Sequence, residues 1–162
     1  MPFLTQWDEE ENLWSYYYSN ESVSISSTDI NCINRIGNTV YIGTMNGLLI
    51  LNLIDRSWDH INRGLSDKAI WDMAIYENSL YIATARGINE ISTISPTIIP
   101  DTDNWFKPVK GEEVYQLEIV DSVLFVASET GLNSVSLSTG EWNNLSEKYI
   151  RKFKMNDGKK MG

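Results

Sequence analysis

The chain has 162 residues, 42% of them hydrophobic and 11% aromatic, with six Trp and eight Tyr, enough apolar material for one domain with a real core and too much for a disordered chain. Thirteen Lys and Arg stand against 22 Asp and Glu, a formal charge of -9, so the general field repels phosphate backbones and anionic lipid and makes nucleic acid a poor partner. No stretch reaches the roughly 18 apolar residues of a membrane span, and the single cysteine, Cys32, rules out an internal disulfide or a thiolate metal cluster built by one chain.

Taken in chain order, MPFLTQWDEEENLW lacks a basic region followed by a sustained apolar run, so no export signal is read there. The segment from Pro2 reads instead as two strands about the acidic run Asp8 to Glu11, a solvated turn, with Trp14 in the second strand. A longer unit then begins with DINCINRIG from Asp29, continues as VYIGTMNGLLILNL from Val40 and ends in DRSWDHIN from Asp55. The next unit has AIWDMAIYE from Ala69, LYIATARGINEIST from Leu80 and DNWFKPVK from Asp103. The third has EVYQLEIVD from Glu113, LFVASETGLNSVSL from Leu124 and TGEWNNLS from Thr139. The chain finishes on YIRKFKMNDGKKMG from Tyr149, which aligns with the opening strand and turn of a unit.

The central segments align without gaps. An aliphatic, an aromatic (Tyr41, Tyr81, Phe125), an aliphatic, a small residue and a hydroxyl (Thr44, Thr84, Ser128) precede two variable residues and a glycine (Gly47, Gly87, Gly131). Forty residues separate the first two glycines and forty-four the next two, the period of a four-stranded propeller blade at about 40–45. Each unit therefore reads as inner strand, polar turn, strand, Thr-x-x-Gly turn, strand, and an outer strand opened by Trp58, Trp105 or Trp142; no segment has helical periodicity. Glycine supplies the positive φ a tight hairpin needs, and the hydroxyl bonds the turn backbone. Once-per-unit recurrence assigns Trp14, Trp58, Trp105 and Trp142 to packing between blades rather than to an aromatic cage.

The fold class is all-β: β-propeller blades of four antiparallel strands, about three complete and a fourth split between the ends. The units span roughly 2–20, 28–63, 66–110, 112–146 and 149–162. The terminal pieces supply strands three and four and strand one of a blade, leaving open whether the chain is part of a longer propeller, joins another copy, or closes alone as a four-bladed ring.

RGLSDKAIWDMAIYENSLYIATARGINEIS from Arg63 and TDINCINRIGNTVYIGTMNGLLIL from Thr28 resemble the repeats of the two-component regulator propeller family. The resemblance covers nearly the whole chain, with LFVASETG the most divergent copy. It implies a sensor or surface propeller of bacteria, extracytoplasmic in its parent protein, whose blades hold no catalytic residues. NSVSLSTGEWNNL from Asn133 is also similar to the Trp-docking blade of quinoprotein propellers, in one unit only, and no quinone site is carried over.

Chemistry-bearing residues are few. His60, the sole histidine, lies on an outer strand, and Cys32 lies in an inner strand, where a buried thiol is expected. Asp101 and Asp103 open like a calcium loop, but Phe106 stands where the loop needs glycine. In the run Tyr16, Tyr17, Tyr18, strand alternation exposes part of an outer strand. No catalytic residue, cofactor or metal is expected. A ligand, whether protein, small molecule or carbohydrate, is expected at the mouth of the channel lined by inner strands. Side chains that break the repeat there are Trp71, Asp72 and Tyr115, with Arg86 and Glu129 in the Thr-x-x-Gly turns. The expected function is non-catalytic recognition. The alternatives are a structural piece that self-associates through open blade edges, and a lyase or hydrolase using Asp72 and Glu129.

Overall fold

The computed structural model describes residues 4–18, 30–96, 98–99, 106–148 and 150–154. It is built of β-sheets: one hairpin and three four-stranded antiparallel sheets. The hairpin pairs β1 (Leu4–Asp8) with β2 (Leu13–Tyr17). The first blade runs β3 (Ile30–Ile36), β4 (Thr39–Thr44), β5 (Gly47–Asn52) and β6 (Trp58–Ile61), each strand beside the next. The second runs β7 (Ile70–Tyr76), β8 (Ser79–Thr84), β9 (Gly87–Ser92) and β10 (Ile98–Ile99). The third runs β11 (Val114–Val120), β12 (Val123–Ser128), β13 (Gly131–Ser136) and β14 (Trp142–Ser146). This is the propeller-blade plan that the repeat predicts.

The middle strands of the first two blades are apolar on both faces because each of these sheets lies between two others. Val40 to Thr44 and Leu80 to Thr84 are buried without interruption. Three clusters alternate with the sheets. Tyr17 of the hairpin meets Ile42, Leu49, Leu51 and Trp58 of the first blade. Tyr41, Leu48 and Ile50 on that blade's other face meet Met73, Leu80, Ile82 and Ile91 of the second. Tyr81, Ala83 and Ile88 then meet Leu117, Leu124, Val126 and Val135 of the third. Burying each such large side chain is worth about 1.5–3 kcal/mol of transfer free energy.

The Thr-x-x-Gly turns repeat as built devices. Thr44 Oγ1 donates to the Gly47 carbonyl at 2.8 Å and accepts the Asn46 N–H at 3.0 Å. Thr84 does the same to Gly87 at 2.9 Å and Arg86 at 3.2 Å, and Ser128 reaches the Gly131 carbonyl at 3.5 Å. Gly47 sits at φ 106°, and a Cβ there would stand 2.5 Å from the Ile61 carbonyl oxygen; at Gly131, φ 137°, it would run into the Ser146 carbonyl. Both the turn and the neighbouring outer strand therefore exclude a side chain.

The Trp positions divide. Trp58 is buried against the hairpin, its indole donating to the Tyr18 carbonyl at 3.1 Å, and half-buried Trp142 meets Phe106 edge-on at 6.4 Å. Trp14 differs from the expected inter-blade burial: it is 52% exposed and stacks on Trp7 of its own hairpin at 4.9 Å. Its face corresponds to the one Trp58 turns toward a neighbouring sheet, and among the described residues no sheet covers it. Trp105 lies outside the described residues. The segment DNWFKPVK is a further correction, because the fourth strand of its blade is Ile98–Ile99 and Lys107–Val109 is a single 3₁₀ turn. Pro108 has no N–H for a ladder and favours the turn. Phe106, buried against Tyr81 and Trp142, fills the space between the blades.

Candidate functional site

The inner strands β3, β7 and β11 share one irregularity. Their ladders with β4, β8 and β12 skip a residue between Ile30 and Cys32, between Ile70 and Asp72, and between Val114 and Gln116. The skipped residues are Asn31, Trp71 and Tyr115. A bulge of this kind releases one residue from strict alternation and re-aims its side chain. All three released side chains line one cavity of about 370 Å³, together with Arg151 and Lys152. Ile150 and Arg151 follow the same order as Ile30 and Asn31, Ile70 and Trp71, and Val114 and Tyr115. The cavity is thus the meeting point of the second residue of four consecutive inner segments.

Side chains one position further on join the inner segments to each other. Asp72 Oδ2 accepts the N–H of Leu117 in the next blade at 2.9 Å, and Oδ1 accepts that of Met73 at 2.9 Å. Gln116 binds the backbone of Phe153 through both amide atoms. In the first blade it is the bulge residue itself that bridges: Asn31 donates to the Ile70 carbonyl at 2.7 Å. These bonds hold residues 150–154 beside the third blade, where Phe153 meets Phe125 at 6.4 Å and the Arg151 guanidinium lies 5.6 Å above the Tyr115 ring.

Of the five residues expected at the channel mouth, Trp71 and Tyr115 line the cavity. Asp72 turns to the next blade, and burial pushes its carboxyl up while the Leu117 and Met73 N–H groups pull it down. Arg86 is exposed in the β8–β9 turn, 3.8 Å from Asp67, and its carbonyl accepts the Gly111 N–H at 3.0 Å. Glu129 is exposed in the β12–β13 turn, its N–H donating to the Glu113 carbonyl at 3.0 Å. Neither turn residue reaches the cavity lining. Asn31, Arg151 and Lys152 were missed by looking for unusual residues alone; aligning INC, IWD, VYQ and IRK by position picks out Asn31 and Arg151.

The other chemistry-bearing groups are held in structural roles. Burial, and secondarily the charge of Asp72, pushes the Cys32 thiol up to about 12. His60 Nε2 lies 2.9 Å from the Asn46 carbonyl. Asp8 Oδ1 accepts the N–H groups of Glu10 and Glu11 at 3.1 and 3.0 Å, which makes the acidic run a closed turn. Of the tyrosine run, Tyr17 is buried while Tyr16 and Tyr18 are exposed. Among the described residues no group of His, Cys, Asp and Glu is placed to hold a metal ion, and no helix is long and apolar enough to cross a membrane. Asp101 and Asp103 lie outside the described residues.

No protein-family model and no curated protein matches the sequence. Solved structures do match in fold. The extracellular domain of the hybrid two-component system BT4673 of B. thetaiotaomicron superposes with a TM-score of 0.64 at 19% identity, covering 82% of this chain and 19% of that one. That of BT3049 from the same organism gives 0.64 at 15%, covering 88% and 24%. PorZ, a surface component of the type-IX secretion system of Porphyromonas gingivalis, gives 0.63 at 16%, covering 88% and 24%. The chain therefore spans about a fifth to a quarter of these structures. In fold it is a run of β-propeller blades like those in the extracellular domains of bacterial two-component systems, consistent with the two-component regulator propeller resemblance of its repeats.

Proposed function

We propose that the chain is a non-catalytic recognition module, extracytoplasmic in its parent protein, that takes its ligand in the cavity at the end of the inner strands. The observation that carries this reading is the convergence of three bulge residues and the 151–152 pair on one cavity, of a size suited to a small ligand at about 300–1,000 Å³. Trp71 and Tyr115, freed from the ladder, present their rings to the cavity without disturbing the core, while the Asn31 amide is held by the Ile70 carbonyl. The polar groups that a reaction would recruit are engaged elsewhere: the oxygens of Asp72 by backbone N–H groups, and His60 by a backbone carbonyl. The fold likeness to extracellular two-component domains supports the location and the sensing role. The test is a thermal-shift panel of mono- and disaccharides, amino acids and small organic acids on the wild-type chain and on Trp71→Ala and Tyr115→Ala. A ligand that raises the wild-type melting temperature and not that of the variants is expected; equal effects on all three would count against the site.

A second reading is favoured by the uncovered hairpin face. Trp7 is 43%, Trp14 52% and Tyr16 45% exposed on one side of β1–β2, where Trp58 and Trp142 in equivalent strands meet a neighbouring sheet or its connecting segment. The chain then works as blades that assemble with further blades or a second copy.

A further inference from the structure

The cavity wall is chemically lopsided. Arg151 and Lys152 stand side by side; the charge of Lys152 acts on the Asp72 carboxyl, but among the described residues neither cation is within ion-pair distance of a carboxylate. The nearby acids turn to their own chain, Asp72 to two backbone N–H groups and Glu113 to the Tyr115 hydroxyl at 3.0 Å. The Arg151 guanidinium lies 5.6 Å from the centre of the Tyr115 ring, within cation–π reach, which holds its charge at the cavity wall. The Trp71 indole N–H is buried without a hydrogen-bond partner, closed off from the cavity, so Trp71 meets the cavity with its ring rather than with its donor. The Asn31 amide is already spent on the Ile70 carbonyl. The unspent groups are thus cations, in a chain whose overall charge is -9, while Trp71 and Tyr115 offer apolar ring surface beside them.

We infer that the cavity takes a carboxylate borne on a ring, with Arg151 and Lys152 on the carboxylate and the aromatic walls against the ring. This inference rests on the recognition reading above for the position of the site and adds the ligand's chemistry. A guanidinium meets a carboxylate through two parallel N–H bonds, the pairing that gives both affinity and orientation. A bare anion would use the cations and leave the aromatic wall idle; a neutral ring would do the reverse. The carboxylate ring has two sources, an acidic sugar or an aryl acid, which share this chemistry.

The experiment is a titration followed by ¹H–¹⁵N correlation spectra of the whole chain, with the Trp71 indole resonance assigned from Trp71→Phe. Glucuronate and benzoate are compared with glucose, benzyl alcohol and inorganic phosphate, at low and at physiological salt. The expected result is that a carboxylate moves the Trp71 indole and Arg151 resonances and binds about tenfold or more tightly than its neutral counterpart. That affinity falls with salt and is lost by about tenfold in Arg151→Gln with Lys152→Gln. Which acid binds distinguishes a sugar from an aryl source. If glucose or benzyl alcohol binds at Trp71 as well as the matching acid, the inference is overturned and the recognition reading stands. If phosphate binds as well as the ring acids, the requirement for a ring is overturned. If no compound moves Trp71, the ligand class is overturned, and the recognition reading falls with it only when the thermal-shift panel is silent too. The salt dependence in the wild type keeps the test decisive should the double variant fold poorly.

Discussion

Gln116 holds Phe153 at both ends of its side-chain amide: Nε2 donates to the Phe153 carbonyl at 3.0 Å, and Oε1 accepts the Phe153 N–H at 2.8 Å. A side chain here supplies what a ladder rung supplies elsewhere. Asp72, one blade earlier, occupies the corresponding position but is an acceptor only, so it takes the Leu117 N–H and leaves the carbonyl alone.

Gln116→Leu is expected to release residues 150–154. Hydrogen exchange at the Phe153 amide should speed up by about tenfold or more, and ligand binding should weaken because Arg151 and Lys152 lose their anchor. Gln116→Glu keeps the acceptor and should fall between. Unchanged protection in the leucine variant would show that Phe153 is held by its contact with Phe125 instead.

Asp72→Ala leaves the Leu117 N–H between two blades without its acceptor and should cost about 1–3 kcal/mol in denaturant unfolding. Arg86→Ala removes only an exposed ion pair and should change stability by less than about 1 kcal/mol. Reversal of that order would mean the turn, rather than the strand, carries the joint.

Gly131→Ala combines a positive φ with a collision against the Ser146 carbonyl, and a loss of about 2–3 kcal/mol is expected. Thr44→Val, which removes two turn hydrogen bonds, should cost about 1–2 kcal/mol. Melting curves of the two variants, measured side by side, check the ranking.

Cys32 should resist alkylation at pH 8 in the folded chain and react promptly once the chain is unfolded, because burial pushes its thiol from 9.0 to about 12. The folded state keeps its proton where the unfolded state has lost it. The contribution to stability is therefore intact below pH 9 and declines as pH rises from about 9 toward 12. Rapid labelling of native protein would contradict the buried placement.

Light scattering tests the uncovered hairpin face. The assembly reading expects mass to rise with concentration, and Trp7→Ser with Trp14→Ser to return it to 18.5 kDa. A constant 18.5 kDa for the wild type would set that reading aside.

The Thr-x-x-Gly turns were legible because their demands are local: positive φ and a hydroxyl within reach of the turn backbone act within four residues. Trp71 and Tyr115 were legible as bulky side chains in strands where the repeat has no need of them. Arg151 is not legible, because one basic residue in the run Arg151, Lys152, Lys154 near a chain end looks like any solvated one until Gln116, thirty-five residues earlier, docks its segment. Asp72 misled for a related reason. The bulge at Trp71 changes which way the following side chain points, and no local pattern announces a bulge. The second blade's outer strand does not follow the Trp that marks it in the other units, because Pro108 turns the chain there and Phe106 fills the gap.

The bulge on each inner strand sets one residue apart from the ladder. The ladder and the packed faces set how blades stand together, while under the proposed recognition role the bulge residue of each blade is the one placed to meet a ligand. Asparagine, tryptophan, tyrosine and arginine already occupy that one position in a single chain, so it tolerates amide, aromatic and cationic side chains alike. If the cavity is the binding site, a propeller made this way would spell its specificity one letter per blade. Its selectivity would then be open to rewriting by as few substitutions as there are blades, with the scaffold left unedited.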